Sequence, residues 1–137
     1  MKIAVRYYTR SGNTETLARV IEDAVGVKAE PVTVPLPEKV DILFLGCSYY
    51  AFDVDETVKS FIFDNKQNIG QIICFGTSAM MKSTHKPMKK VCDAAGVRLS
   101  DLEFHCRGSF GPMHKGHPDE QDLTNVATFA KMTIRQV

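Results

Sequence analysis

The chain is 137 residues long, enough for one ordinary domain with a core of its own. It is 44% apolar and 24% charged, which excludes a disordered chain. Its formal net charge of +1 gives no basis for binding nucleic acid or an acidic membrane surface. Short basic runs such as Lys89-Lys90 fit a solvated helix face better than a phosphate track. No stretch approaches the roughly 20 apolar residues of a membrane helix. The first residues, Met1 to Val5, lack the long apolar region and cleavage site of a signal peptide, so a cytoplasmic protein is expected.

Taken in chain order, short apolar runs alternate with amphipathic segments. Residues 3–8 read as the first strand. Leu17, Val20, Ile21 and Ala24 recur at helical spacing, and Gly26 sits where a helix end wants a left-handed residue. Residues 27–34 and 41–47 are the next two strands. They are joined by a short link, 35–40, with two prolines and no room for a full helix. Ile42 to Leu45 is continuously apolar, which suits a strand covered on both faces.

Asp53 followed by Glu56 has the spacing of a capping box ahead of Val54, Val58, Phe61 and Ile62. A strand at 71–76 follows. Met88, Val91, Cys92 and Ala95 form the next helical stripe, ended by Gly96. Residues 102–108 are the fifth strand. Pro118, Asp119 and Glu120 make a first helical turn ahead of Leu123, Val126, Ala127 and Ala130. The order β-α-β-β-α-β-α-β-α predicts an α/β domain spanning 1–137, with a parallel sheet and helices on both faces.

The turn Thr9-Arg10-Ser11-Gly12-Asn13-Thr14 lies between the first strand and the first helix. In parallel sheets of this kind, ligands bind beyond the carboxyl ends of the strands. Gly12 permits a tight turn and close backbone approach. The N–H groups of a first helical turn attract an anion. Thr9, Ser11 and Thr14 add hydroxyls, and the first acid is delayed to Glu15. Simple capping by Ser11 or Asn13 accounts for one of these residues, whereas a phosphate site accounts for all of them. GxxxxGK[ST] and GxGxxG are both absent. Cys92 to Arg98 has a bare C-x5-R spacing. But Cys92 is on the apolar face of a helix and Arg98 follows its terminal Gly96, the reverse of a phosphatase loop.

At this point the chain resembles the flavodoxins, whose phosphate loop reads [ST]-x-[ST]-G-x-T. The likeness extends over nearly the whole chain and includes Cys106-Arg107-Gly108 and the start of the last helix at Gly116-His117-Pro118-Asp119-Glu120. It implies a three-layer sandwich with a five-stranded parallel sheet of order 2-1-3-4-5, in the short form. It also implies FMN as cofactor, with the phosphate on Thr9, Arg10, Ser11, Gly12, Asn13 and Thr14. The flavin ring is then expected on two further loops. Ser48, Tyr49, Tyr50 and Ala51 follow the third strand, where a tyrosine stacks on the ring and Phe52 packs in the core. Thr77, Ser78 and Ala79 follow the fourth, with Met80 and Met81 where flavodoxins often carry an aromatic. Gly108 and Phe110 border the same edge.

The resemblance implies a carrier that passes electrons between redox partner proteins, with no catalytic acid or base of its own. A small FMN-dependent NAD(P)H or quinone oxidoreductase, or a module binding another phosphate ligand, stays open beside it. Lys82 and Arg107 near the ring predict a less negative potential than that of an acidic flavodoxin.

The four cysteines, 47, 74, 92 and 106, are not at metal spacing, and reduced core thiols are expected. His114, His117 and Asp119 fall short of a metal site, which two histidines alone rarely make. His85 reads as a helix-start residue and His105 as a strand position. Arg6 interrupts an apolar strand and needs buried partners that the sequence does not name.

Overall fold

The structure, a computed structural model, describes residues 1–9, 12–48, 53–77, 85–106, 116 and 118–136, with the side chains of Cys47 and Ser48 outside that description. Its elements are β1 (Ile3–Tyr8), α1 (Asn13–Val25), β2 (Ala29–Pro31), β3 (Val40–Ser48), α2 (Glu56–Asn65), β4 (Ile69–Thr77), α3 (His85–Ala95), β5 (Arg98–Cys106) and α4 (Glu120–Gln136). A single 3-10 turn, Lys66–Asn68, closes α2. All four strand pairings are parallel, and the sheet order is β2-β1-β3-β4-β5.

Side chains alternate across the central strands, so each strand feeds two cores. Val5, Ile42, Phe44, Ile73 and Phe75 face α1 and α4, where they meet Leu17, Ile21, Val126 and Ala130. Ala4, Leu43, Leu45, Ile72 and Cys74 face α2 and α3, where they meet Val58, Ile62, Met88 and Cys92. The three layers follow from this alternation. Among the described residues no helix is long and apolar enough to cross a membrane.

Helix ends match their residues in some places and not in others. Gly26 and Gly96 close α1 and α3 at φ 73° and 74°, the left-handed region. Helix α2 is capped by Asp55 and not by Asp53. The Asp55 carboxylate accepts the Thr57 N–H at 2.9 Å, while Asp53 accepts the Val54 N–H at 2.7 Å. Asp119 lies ahead of α4, not inside its first turn. It accepts the Asp122 N–H at 2.9 Å and returns its own N–H to the Asp122 carboxylate at 2.9 Å.

Three strands have bounds that differ appreciably from the periodicity. β2 is three residues long, because the Val32 N–H still reaches Tyr7 O at 2.9 Å but Val34 turns back onto Pro31 O at 3.0 Å. β4 gains two residues at its start and one at its end. β5 starts four residues early. Its pairing with β4 shifts register between Ile72 and Cys74, and the Ser100 hydroxyl there accepts the Leu102 N–H at 3.1 Å.

Arg6 is buried and finds its partners on the β2–β3 link. It donates to Val34 O at 2.9 Å, Pro35 O at 3.2 Å and Val5 O at 3.0 Å, with Glu30 at 3.5 Å. Burial lowers its pKa, and Glu30 opposes that shift.

Candidate functional site

The strands β1, β3, β4 and β5 end level with one another. Tyr8 pairs with Cys47, Ser48 with Thr77, and Thr77 with Cys106. β1 leads through α1 to β2 on one side, and β3 leads through α2 to β4 on the other. The carboxyl ends of β1 and β3 therefore flank the switch point where a parallel sheet of this kind opens a crevice.

At that point the chain turns from β1 into α1 through Gly12, at φ 88° and ψ −8°. Only glycine takes this conformation without strain. The Thr9 hydroxyl accepts the Gly12 N–H at 3.0 Å, which fixes the turn. Gly12 occupies the N-cap position, so no side chain there caps α1. Asn13 is the first helical residue and not the cap. The helical ladder begins with Thr16, which donates its N–H to Gly12 O at 3.1 Å. The start of α1, with the positive end of its dipole, thus stands at the carboxyl edge of the sheet.

The floor of the crevice is closely packed. Thr14 and Thr77 are buried, and their hydroxyls lie 3.3 Å apart, tying the start of α1 to the end of β4. Gly46 of β3 lies beneath them. A Cβ placed on Gly46 would meet the Phe75 ring, and would lie 2.8 Å from the Thr14 methyl. Gly46 and Phe75 are site-floor residues that motif reading overlooked, and the signal for them was a lone glycine inside an apolar strand.

The acid nearest the turn is held away from it. Glu15 pairs with Arg19 at 3.2 Å, and Arg19 also reaches Ala29 O at 2.9 Å and the Tyr7 hydroxyl at 3.2 Å. Burial, with Glu15 adding to it, raises the Tyr7 pKa, so the phenol keeps its proton at neutral pH.

No family model matches the chain. An uncharacterized protein of Methanocaldococcus jannaschii is 24% identical over 137 residues, covering 90% of this chain and 91% of that one. A solved flavodoxin from the domain Archaea superposes with a TM-score of 0.73 at 17% identity, covering 99% of this chain and 98% of that chain. Oxidised Flavodoxin 1 from Bacillus cereus does so at 0.72 and 17%, covering 100% and 99%. The rubredoxin oxygen:oxidoreductase of Desulfovibrio gigas matches at 0.73 and 15%, but this chain spans only 35% of that one.

The fold is flavodoxin-like.

Within that flavodoxin-like frame, Thr9, Gly12, Asn13, Thr14 and Thr77 come together at one edge, with the backbone end of β3 at Ser48. Arg10, Ser11, Tyr49, Tyr50, Ala51, Ser78, Ala79 and Gly108 lie outside the described residues. So do Phe52, Met80, Met81, Lys82, Arg107, Phe110, His114 and His117. Among the described residues no group of three His, Cys, Asp or Glu side chains could hold a metal. Cys92 is buried in α3 and its thiol is pushed up to about 11 by burial, the reverse of an activated nucleophile. The C-x5-R spacing is therefore coincidental.

Proposed function

We propose that the chain binds FMN at this edge and passes electrons between redox partner proteins. The observation that carries the reading is the left-handed Gly12 turn, which opens α1 at the switch point without a capping side chain. Its chemistry fits a phosphate. The turn has a φ only glycine holds cheaply, an N-cap glycine with no side chain of its own, and a first acid drawn off by Arg19.

In this reading the first-turn N–H groups of α1 and the hydroxyls at Thr9 and Ser11 hold the phosphate. Thr14 acts as a strut to Thr77, and Gly46 lets Phe75 and Thr14 pack directly under the site. When bound, the flavin supplies the electron-transfer chemistry, and the protein supplies position and electrostatics.

The test is a visible absorbance spectrum of the protein, incubated with excess FMN and then desalted. Flavin retained at near one per chain supports the reading. A colourless protein refutes it and leaves another phosphate ligand as the occupant.

A further inference from the structure

Helices α2 and α3 share one face of the sheet and leave an open groove of about 740 Å³ between them. Its α2 side carries Lys59 and, one turn on, Phe63. Its α3 side carries Lys86, Lys90 and Ala94 at i, i+4 and i+8, with Pro87 and Val91 beside them. Phe63 is 42% exposed, whereas Val58, Phe61 and Ile62 of the same helix are buried. A large exposed apolar ring therefore lies beside three lysines in a groove that also carries Pro87, Val91 and Ala94.

The charges in the groove are unbalanced. Asp53, the one carboxylate among the described residues of the lining, is engaged by the Val54 N–H and by Lys59 at 3.3 Å. Lys59 is further held by Glu56 at 3.3 Å. Lys86 and Lys90 make no hydrogen bond or close ion pair with the described residues, although the Lys90 charge helps to lower the Asp53 pKa, whereas Lys89, outside the groove lining, is paired with Asp93 at 2.6 Å. Two like charges one turn apart on a helix repel each other, and incoming carboxylates relieve that repulsion.

We propose that this groove docks an acidic segment of a partner protein, with carboxylates on Lys86 and Lys90 and one apolar side chain on Phe63 and Val91. Protein fits the lining better than a polyphosphate does. A phosphate backbone uses only the lysines, and a net charge of +1 gives the chain little general attraction for a polyanion. A groove of this size takes a short segment, so the contact is transient and salt-sensitive. The inference does not depend on the cofactor, because every residue in it belongs to the groove itself.

The test is a nitrogen–proton NMR titration of the full chain with a glutamate-rich peptide that carries one leucine. A glutamine-for-glutamate peptide is the control. Shift changes should centre on Lys59, Phe63, Lys86, Lys90 and Ala94. Affinity should fall about fivefold or more between about 50 and about 300 mM salt. Lys86→Glu with Lys90→Glu should weaken binding at least about tenfold, and Lys86→Arg with Lys90→Arg should preserve it. The proposal is overturned if the shifts centre elsewhere or the uncharged control binds as well. It is equally overturned if a DNA duplex or anionic vesicles occupy the groove more tightly than the peptide.

Discussion

Replacing Gly46 by alanine tests the packing beneath the candidate site with a single methyl group. The added Cβ meets the Phe75 ring on one side and lies 2.8 Å from the Thr14 methyl on the other. Neither neighbour has room to withdraw, since Phe75 is 1% exposed and Thr14 is 0% exposed. Overpacking a filled core costs ~1–3 kcal/mol, and two opposed contacts put this site at the upper end. Alanine returns ~0.5–1 kcal/mol by restricting the unfolded chain. The net loss is then about 2 kcal/mol, which for a chain of this length lowers Tm by about 7 °C.

The same displacement moves Thr14 against Thr77, so FMN affinity should fall together with stability. Gly70→Ala is the control. Its Cβ would lie 2.6 Å from Asp41 O and 2.9 Å from Val40 O, at the amino end of β4, far from the crevice. It should lower Tm and leave the affinity of the folded protein for FMN unchanged. Urea melts and flavin fluorescence titrations read the two effects separately. A Gly46→Ala protein as stable as wild type would refute the packing argument, and an equal affinity loss in both variants would refute the link to the site.

Three further outcomes are expected. Asn65→Ala should cost ~1–3 kcal/mol in a urea melt, because the buried Asn65 side chain accepts the Leu36 N–H at 2.9 Å and its loss strands that donor, while Phe61 O, to which it also donates at 2.9 Å, keeps its helical partner. Gly12→Ala meets no atom of the described residues within 4 Å, and the backbone strain of φ 88° costs ~1–2 kcal/mol, so FMN binding should weaken with it. Burial raises the Cys92 thiol from 9.0 to about 11, so the folded chain keeps a proton that the unfolded chain releases. The Cys106 thiol, pushed up to about 12 by burial, acts in the same direction, so the two thiols should leave stability unaffected below about pH 9 and lower it as pH rises above 9, and in melts across this range Cys92→Ala should make that decline shallower while the Cys106 share remains.

Much of the scaffold could be read from periodicity alone. β1 has the bounds its apolar run predicts, and Met88, Val91, Cys92 and Ala95 are all buried as their spacing requires. The sheet order was implied by the resemblance carried by the turn at Thr9 to Thr14, and the strand pairing agrees with it. What escaped notice depends on contacts distant in sequence. Arg6 is satisfied by carbonyls of Val34 and Pro35, residues that have no spacing relation to it. Asn65 reads as an ordinary helix-end polar residue until Leu36 is placed beside it. The first half of β5 was missed because Ser100 and Asp101 break its apolar pattern, and the register shift against β4 explains how the sheet accommodates them. Asp53 and Asp55 both stand ahead of α2, and only the hydrogen bond to Thr57 distinguishes the cap.

At the candidate site, the turn was legible because glycine and small hydroxyls at a strand-to-helix junction have few other uses. The inward aim of the Thr14 hydroxyl was not, since it depends on Thr77, 63 residues away.

The central claim is that the Gly12 turn holds a flavin by its phosphate. The most direct test is a pair of fluorescence titrations of the flavin-free protein, one with FMN and one with riboflavin, which lacks the phosphate. The account predicts that FMN binds at one per chain and at least about tenfold more tightly than riboflavin, the worth of one charge-assisted contact set at a helix start. Equal affinity for the two, or no binding of either, would contradict it.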